Sequence, residues 1–271
     1  MRRSLYIFFL ALSIGLTGCA STGKVKSFSQ EKEVSQAKAE KSMKEVSDFF
    51  TRKRFTYLIT WNGIPVGRII AQADDVIRYK DDNVYVVSLR TESNKFLSKI
   101  YRVEDVYTSY IDVDTMTSRR YEADRKEGNY RKHVIVEYDF DKGQARYTNL
   151  TDGSVKYCDI KRDVQDPVSA MCYFMTLPAK IGDRIKINVN LNEKNYELYS
   201  QVESLDVIKL PSLGLFPAFR VRPKALLKGQ VYEKGRGYMY FAAGDKRYPL
   251  YGVVNIPFGR VKATLKTIEN F

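Results

Sequence analysis

One histidine and three cysteines supply all the imidazole and thiol groups of 271 residues, and there is a single tryptophan. A tetrahedral metal centre draws on clustered Cys and His. A Ser-His-Asp or Cys-His nucleophile needs an imidazole at hydrogen-bond distance. The single imidazole, His133, sits among alternating residues in 131–140 and reads as a strand-face side chain, so neither arrangement can be assembled around it. Ser169 lacks the G-x-S-x-G elbow and reads as a first-turn helix residue bonding backbone. No phosphate-cradling loop or dinucleotide fingerprint is present. Paired carboxylates stay open because their separation is a three-dimensional quantity. The expectation is a protein without catalytic residues, cofactor or metal.

Long apolar runs are also missing. Mean hydropathy is −0.37 and 28% of residues are charged, which excludes a multi-spanning membrane protein, while 44% apolar content excludes a disordered tail. The one apolar run, Leu5–Thr17, would span ~20 Å as a helix, short of the ~30 Å hydrocarbon core. Behind Arg2 and Arg3 it reads as the h-region of a secretory signal. It ends Leu16-Thr17-Gly18-Cys19, which resembles the lipobox of bacterial lipoproteins, so residues 1–18 are expected to be removed. Cys19 would then carry a diacylglyceryl thioether and an acyl chain of the palmitate type, anchoring the chain without spanning the bilayer. Ala20 after the Cys implies, by the enteric sorting rule, the outer membrane facing the periplasm.

Positive charge is in excess: Lys+Arg 45 against Asp+Glu 32, a net +13 that falls to +11 without Arg2 and Arg3. In the envelope such a balance favours lipid phosphates or anionic glycans, and the compartment argues against nucleic acid. Taken singly, the clusters 52–54, 119–120, 125–126 and 131–132 read more simply as solvated strand and loop faces.

The body divides into a tether with a helix (19–50) and a β-rich domain (51–271). Glu31–Phe50 is rich in helix formers and either caps the domain or extends the tether. From Phe55 the period becomes two. Phe55–Trp61 and Ile64–Ala71 flank Asn62-Gly63, the favoured two-residue hairpin turn. Ile185, Ile187, Val189 and Leu191 alternate with polar residues, and Tyr196, Leu198 and Val202 continue the pattern. Further strands are expected at 84–91, 101–111, 131–140, 145–149, 154–160, 216–223, 237–242 and 259–267. About a dozen short strands predict a single curved antiparallel sheet or partly closed β-barrel. Asp166-Pro167 opens an apolar run to Met175 with Asp as N-cap and Pro at N1, predicting one buried short helix. Cys158 and Cys172 either pair in an oxidising compartment or stay as buried thiols. Trp61, Tyr196, Tyr199, Tyr232, Tyr238 and Tyr240 are candidates to line a cavity for a lipid or glycan, with core and rim packing as the alternative.

Four motifs in order carry a resemblance. Trp61-Asn62-Gly63-Ile64-Pro65-Val66-Gly67 resembles the W-x-G-I-x-V-G opening of the bacterial "domain of unknown function 3108" family. Asp166-Pro167-Val168-Ser169-Ala170 is similar to its D-P-[LV]-S-A element. Gly214–Val221 is similar to its G-x-F-x-x-x-R-V strand. Asp245–Leu250 with Phe258-Gly259-Arg260-Val261 resembles its closure. The resemblance covers residues 52–268 and implies an exported or lipid-anchored, mainly β envelope protein with no established common activity. Members often carry Trp in the strand before the closing Asp, where this chain has Tyr240-Phe241. The expected function is binding of an amphipathic or anionic envelope molecule, with docking of another envelope protein as the alternative.

Overall fold

The computed structural model describes residues 51–231, 236–244 and 247–271. The signal segment, Cys19, the 31–50 helix and Tyr232 lie outside the described residues. Fifteen strands and two short helices make up the rest. In chain order they are β1 (Lys53–Trp61), β2 (Ile64–Tyr79), β3 (Asp82–Ser93), α1 (Lys95–Ser98), β4 (Glu104–Asp112), β5 (Ser118–Glu127), β6 (Tyr130–Asp139), β7 (Gln144–Asn149) and β8 (Val155–Asp159). Helix α2 (Pro167–Thr176) follows. Then come β9 (Arg184–Leu191), β10 (Lys194–Leu210), β11 (Gly214–Leu227), β12 (Gln230–Val231), β13 (Arg236–Ala242), β14 (Pro249–Ile256) and β15 (Gly259–Asn270).

The strands form one antiparallel sheet in the order β8-β7-β6-β5-β4-β3-β2-β1-β15-β14-β13-β11-β10-β9, with β12 paired to β11. Nearly every step along the sheet is a hairpin; only β1 with β15 joins the two ends of the chain. The first hairpin has the expected turn: Asn62 and Gly63 have φ of 48° and 88°, the paired positive values a type I′ turn requires. Gly67, the last residue of the opening motif, has a different reason. A Cβ there would sit 2.3 Å from the Glu92 carbonyl oxygen of β3, so only glycine lets β2 approach that closely.

The sheet curls but does not close by a ladder. Its two edges, β8 and β9, come together through side chains instead. Lys156 on β8 pairs with Glu193 at 2.9 Å, Asn195 Nδ2 donates to the Asp159 carbonyl at 2.6 Å, and the Tyr147 hydroxyl on β7 donates to Asn190 Oδ1. The outer edge of β9 is covered by Gln165, whose N–H donates to Asn188 and whose carbonyl accepts from Asn190, both at 2.8 Å. Blunted edges of this kind protect against edge-to-edge pairing.

Alternation puts Phe55, Tyr57 and Ile59 of β1, Ile185, Ile187 and Val189 of β9, and Tyr196 and Val202 of β10 on the inner face. Helix α2 lies inside the curve, with eight of its ten residues buried. Fully burying a Val, Phe or Met side chain contributes about 1.5–3 kcal/mol, so Val168, Phe174 and Met175 make the helix a part of the core rather than a surface cover. Phe174 packs on Phe241 of β13 with ring centroids 4.6 Å apart.

The structure extends the sequence reading. Strands β5, β12 and β14 and helix α1 are additional, and β2, β10 and β11 run on to Tyr79, Leu210 and Leu227. β5 escapes a period-two reading because seven of its ten residues are charged. Those charges are accommodated by pairing, as in Arg120 with Glu122 and Arg119 with Asp82 and Asp112.

Candidate ligand cavity

The position of α2 is set at both ends by motif residues. Asp166 has its side chain buried at the helix N-terminus, where Oδ1 accepts from the N–H groups of Val168 (2.6 Å) and Ser169 (2.9 Å). Ser169 returns the bond, its Oγ accepting from the Asp166 N–H at 2.9 Å, which completes a capping box. The other carboxylate oxygen accepts from the Ser109 hydroxyl of β4, and Ser118 of β5 bonds the same carboxyl. Burial still pushes the Asp166 carboxyl above its ordinary range, with these hydrogen bonds pulling the other way. At the opposite end the Arg247 guanidinium donates to the carbonyl of Leu177, the C-cap residue. Two motifs 80 residues apart thus hold one helix against the sheet.

Between α2 and the strands β1, β2, β14 and β15 lies an apolar cavity of about 80 Å³. Its walls include Phe55, Tyr57, Met171, Cys172, Met175 and Met239. The Tyr57 hydroxyl is turned to the Pro249 carbonyl at 2.9 Å, and burial raises its pKa far above the usual phenol value. Across the helix a second apolar void of about 40 Å³ is lined by Phe174, Ile187, Leu198 and Val221. Met171 and Met239 border both voids. Small-molecule sites usually enclose roughly 300–1,000 Å³; these two spaces are smaller, and the side chains of Met171 and Met239 are common to both. Methionine, unbranched and with three rotatable bonds, is the residue most able to give way.

A third cavity, about 180 Å³ with a mixed polar and apolar lining, opens between β4–β7 and the β9–β10 turn. Tyr107, Tyr121, Tyr147, Arg125, Asn190 and Lys156 contribute to it. Behind Arg125 sits a buried acidic pair. Arg125 Nε donates to Glu127 Oε1 at 3.1 Å, while Asp105 accepts from the Lys126 N–H at 2.8 Å and from the Tyr107 hydroxyl at 3.3 Å. Burial and the neighbouring Glu127 charge push Asp105 up to about 6.

The residues singled out from sequence fall in different places. Tyr196 is fully buried in the core. Tyr199 lies on the outer face, where Lys186 sits over its ring and its hydroxyl meets Glu197. Tyr238 and Tyr240 form an outer cluster with Tyr251, and the Tyr240 hydroxyl donates to Asp206 at 2.9 Å. Trp61 ends β1 with its indole N–H on the Phe258 carbonyl at 3.1 Å. None of these five lines the apolar cavity. The tyrosines that do, Tyr57, Tyr248 and Tyr251, escape a sequence reading because facing the cavity depends on which strands α2 packs against. His133 lies on β6, its Nε2 2.6 Å from Glu122. Cys158 and Cys172 are separate thiols, half-buried and buried respectively, and burial raises both pKa values. Among the described residues no three His, Cys, Asp or Glu side chains are grouped to share a metal ion, and no helix is long and apolar enough to cross a membrane.

A single curled antiparallel sheet of many hairpins, wrapped on an internal capped helix, defines a β-barrel-like protein of mainly β structure. Residues 56–266 match the family model "Protein of unknown function (DUF3108)", and the chain belongs to that family. Among solved structures it is similar in fold to a beta-barrel-like protein of domain of unknown function DUF1849 from Brucella abortus. That match has 10% identity, 81% of this chain and 97% of that chain covered, and a TM-score of 0.55. Looser matches are a protein described as exported, with a YmcC-like fold, from Bacteroides fragilis and one described as a lipoprotein from Parabacteroides distasonis. The first has 11% identity, 81% and 96% coverage and a TM-score of 0.34; the second has 10%, 82% and 98%, and 0.35. No curated protein matches the chain in sequence.

Proposed function

We propose that this is an envelope protein, lipid-anchored through Cys19 on the periplasmic side of the outer membrane, that binds an amphipathic molecule with its apolar part inside the curled sheet. The observation that carries the reading is the pair of apolar voids flanking α2, separated by Met171 and Met239. When Met171 and Met239 change rotamer the voids join into one slot along the helix, apolar enough for an alkyl chain.

Native mass spectrometry of the full-length protein, extracted gently from its own membrane, tests this. The expected result is an added mass beyond the acyl groups on Cys19, lost on denaturation and absent from Met171→Trp, which fills the slot. Thermal melting of the variant verifies that it is folded. A bare mass at several detergent strengths would overturn the reading. It would favour the second one, docking of another envelope protein, for which Leu205, Val207 and Leu215 are the motivating feature. All three are exposed, and strand register places them on one face of the β10–β11 hairpin.

A further inference from the structure

One end of the sheet carries its large apolar side chains outside. Ile64 at the β1–β2 turn is 63% exposed, Phe258 at the β14–β15 turn 62%, and Phe96 and Ile100 in the β3–β4 connection 70% and 71%. These belong to three separate connections, yet they form one rim because the backbone ties them together. The Trp61 indole donates to the Phe258 carbonyl, Asn62 exchanges bonds with Arg260 at 2.8 Å in both directions, and Asn94 N–H and Nδ2 donate to the carbonyls of Val66 (2.8 Å) and Pro65 (2.6 Å). Single exposed apolar residues need no explanation; four on the tips of adjoining turns mark an interaction surface.

Charge says what that surface meets. Lys95 and Lys99 flank Phe96 and Ile100, Arg260 follows Phe258, and Arg131 stands at the β5–β6 turn, whose Gly128 N–H donates to the Arg102 carbonyl beside them. Among the described residues none of these four cations has an ion-pair partner. The nearby carboxylates are already committed, Glu92 to Arg68 at 2.8 Å and Glu104 to Arg102 at 2.6 Å. Apolar tips interleaved with uncompensated cations are complementary to a layer that is anionic outside and apolar a few ångströms below.

We propose that this rim docks the domain onto an anionic bilayer surface, inserting Ile64, Phe96, Ile100 and Phe258 between headgroups. The tether permits this. Arg52 lies at the opposite end of β1 from the rim, bonded to Phe271. Residues 19–50, with 31–50 helical as expected from the sequence, reach on the order of 70 Å, against ~40 Å for a 12-residue strand such as β15. An anchor at Cys19 therefore leaves either end free to face the membrane, and the rim selects which does. The proposal does not depend on the cavity holding a ligand.

The single tryptophan of the chain is the reporter, because Trp61 lies directly under the rim. Full-length protein is added to vesicles of phosphatidylcholine alone, or with phosphatidylglycerol, each with and without brominated acyl chains. The expected result is quenching of Trp61 in the phosphatidylglycerol vesicles, weaker in phosphatidylcholine and reduced by salt. Lys95→Glu/Lys99→Glu should reduce it several-fold, and Phe96→Asp/Phe258→Asp should abolish it while the acyl anchor keeps the protein vesicle-bound. These are exposed turn positions, and unchanged near-ultraviolet circular dichroism confirms the fold. Trp61 left unquenched in all vesicles, or quenched equally in the Phe96→Asp/Phe258→Asp protein, would overturn the proposal. Crosslinking of the rim to a protein partner in envelopes, with no quenching by lipid, would do so as well.

Discussion

The Ser109 hydroxyl, on the inner face of β4, donates to the buried carboxylate of Asp166 at the head of α2. Through that bond the helix cap and the sheet are one hydrogen-bonded unit, since the same carboxylate also caps Val168 and Ser169. The D-P-x-S-A element is therefore explained structurally: Asp and Ser form the cap, Pro starts the turn, and Ala170 packs in the core.

Asp166→Ala is expected to lower stability by about 2–4 kcal/mol, combining a lost N-cap with buried serine hydroxyls left without their acceptor. Asp166→Asn, which still caps, should cost less. Urea unfolding midpoints of the two variants check the order; equal, small effects would mean the carboxyl contributes little.

Asp105 sets a pH dependence. Its folded pKa, about 6, lies above the ~3.9 of an unfolded Asp. Between those values the folded state holds a proton that the unfolded state has released, so stability falls as pH rises through the window. The contribution is complete below pH ~4 and lost above pH ~6. Asp105→Asn cannot titrate. The stability difference, wild type minus variant, should therefore decline from pH 4 to 6 and level off above it. Urea titrations at half-unit pH steps read this, and a flat difference would exclude it.

The thiols should label in a fixed order. Cys158, half-buried, should react slowly with iodoacetamide in the native protein, while Cys172, enclosed in α2 with its pKa raised by burial, should not react. After denaturation without reductant both should label. Peptide mass mapping separates the sites, and two thiols blocked until reduction would indicate a disulfide.

Local chemistry made much of the architecture readable in advance. Period-two alternation in β1, β9 and β10 is fixed by which residues a half-buried strand can carry, and Asn62-Gly63 and Asp166-Pro167 announce a turn and a helix start through backbone preferences of those residues alone. β5 was hidden because its seven charges mask two inward residues, Tyr121 and Ala123, and only pairing with neighbouring strands makes such a sequence tolerable there. Helix α1 is too short for any period to show.

By itself the sequence determined the basic balance, the strand-rich class and the single buried helix, because each depends on composition or on residues close together in the chain. The tertiary structure alone decided where α2 lies, which tyrosines face it, that Arg247 reaches Leu177, and that Ile64, Phe96, Ile100 and Phe258 form one rim. Those relations join segments up to some 200 residues apart. They are fixed by how the sheet curls and in which order its strands pair, and no local pattern encodes that.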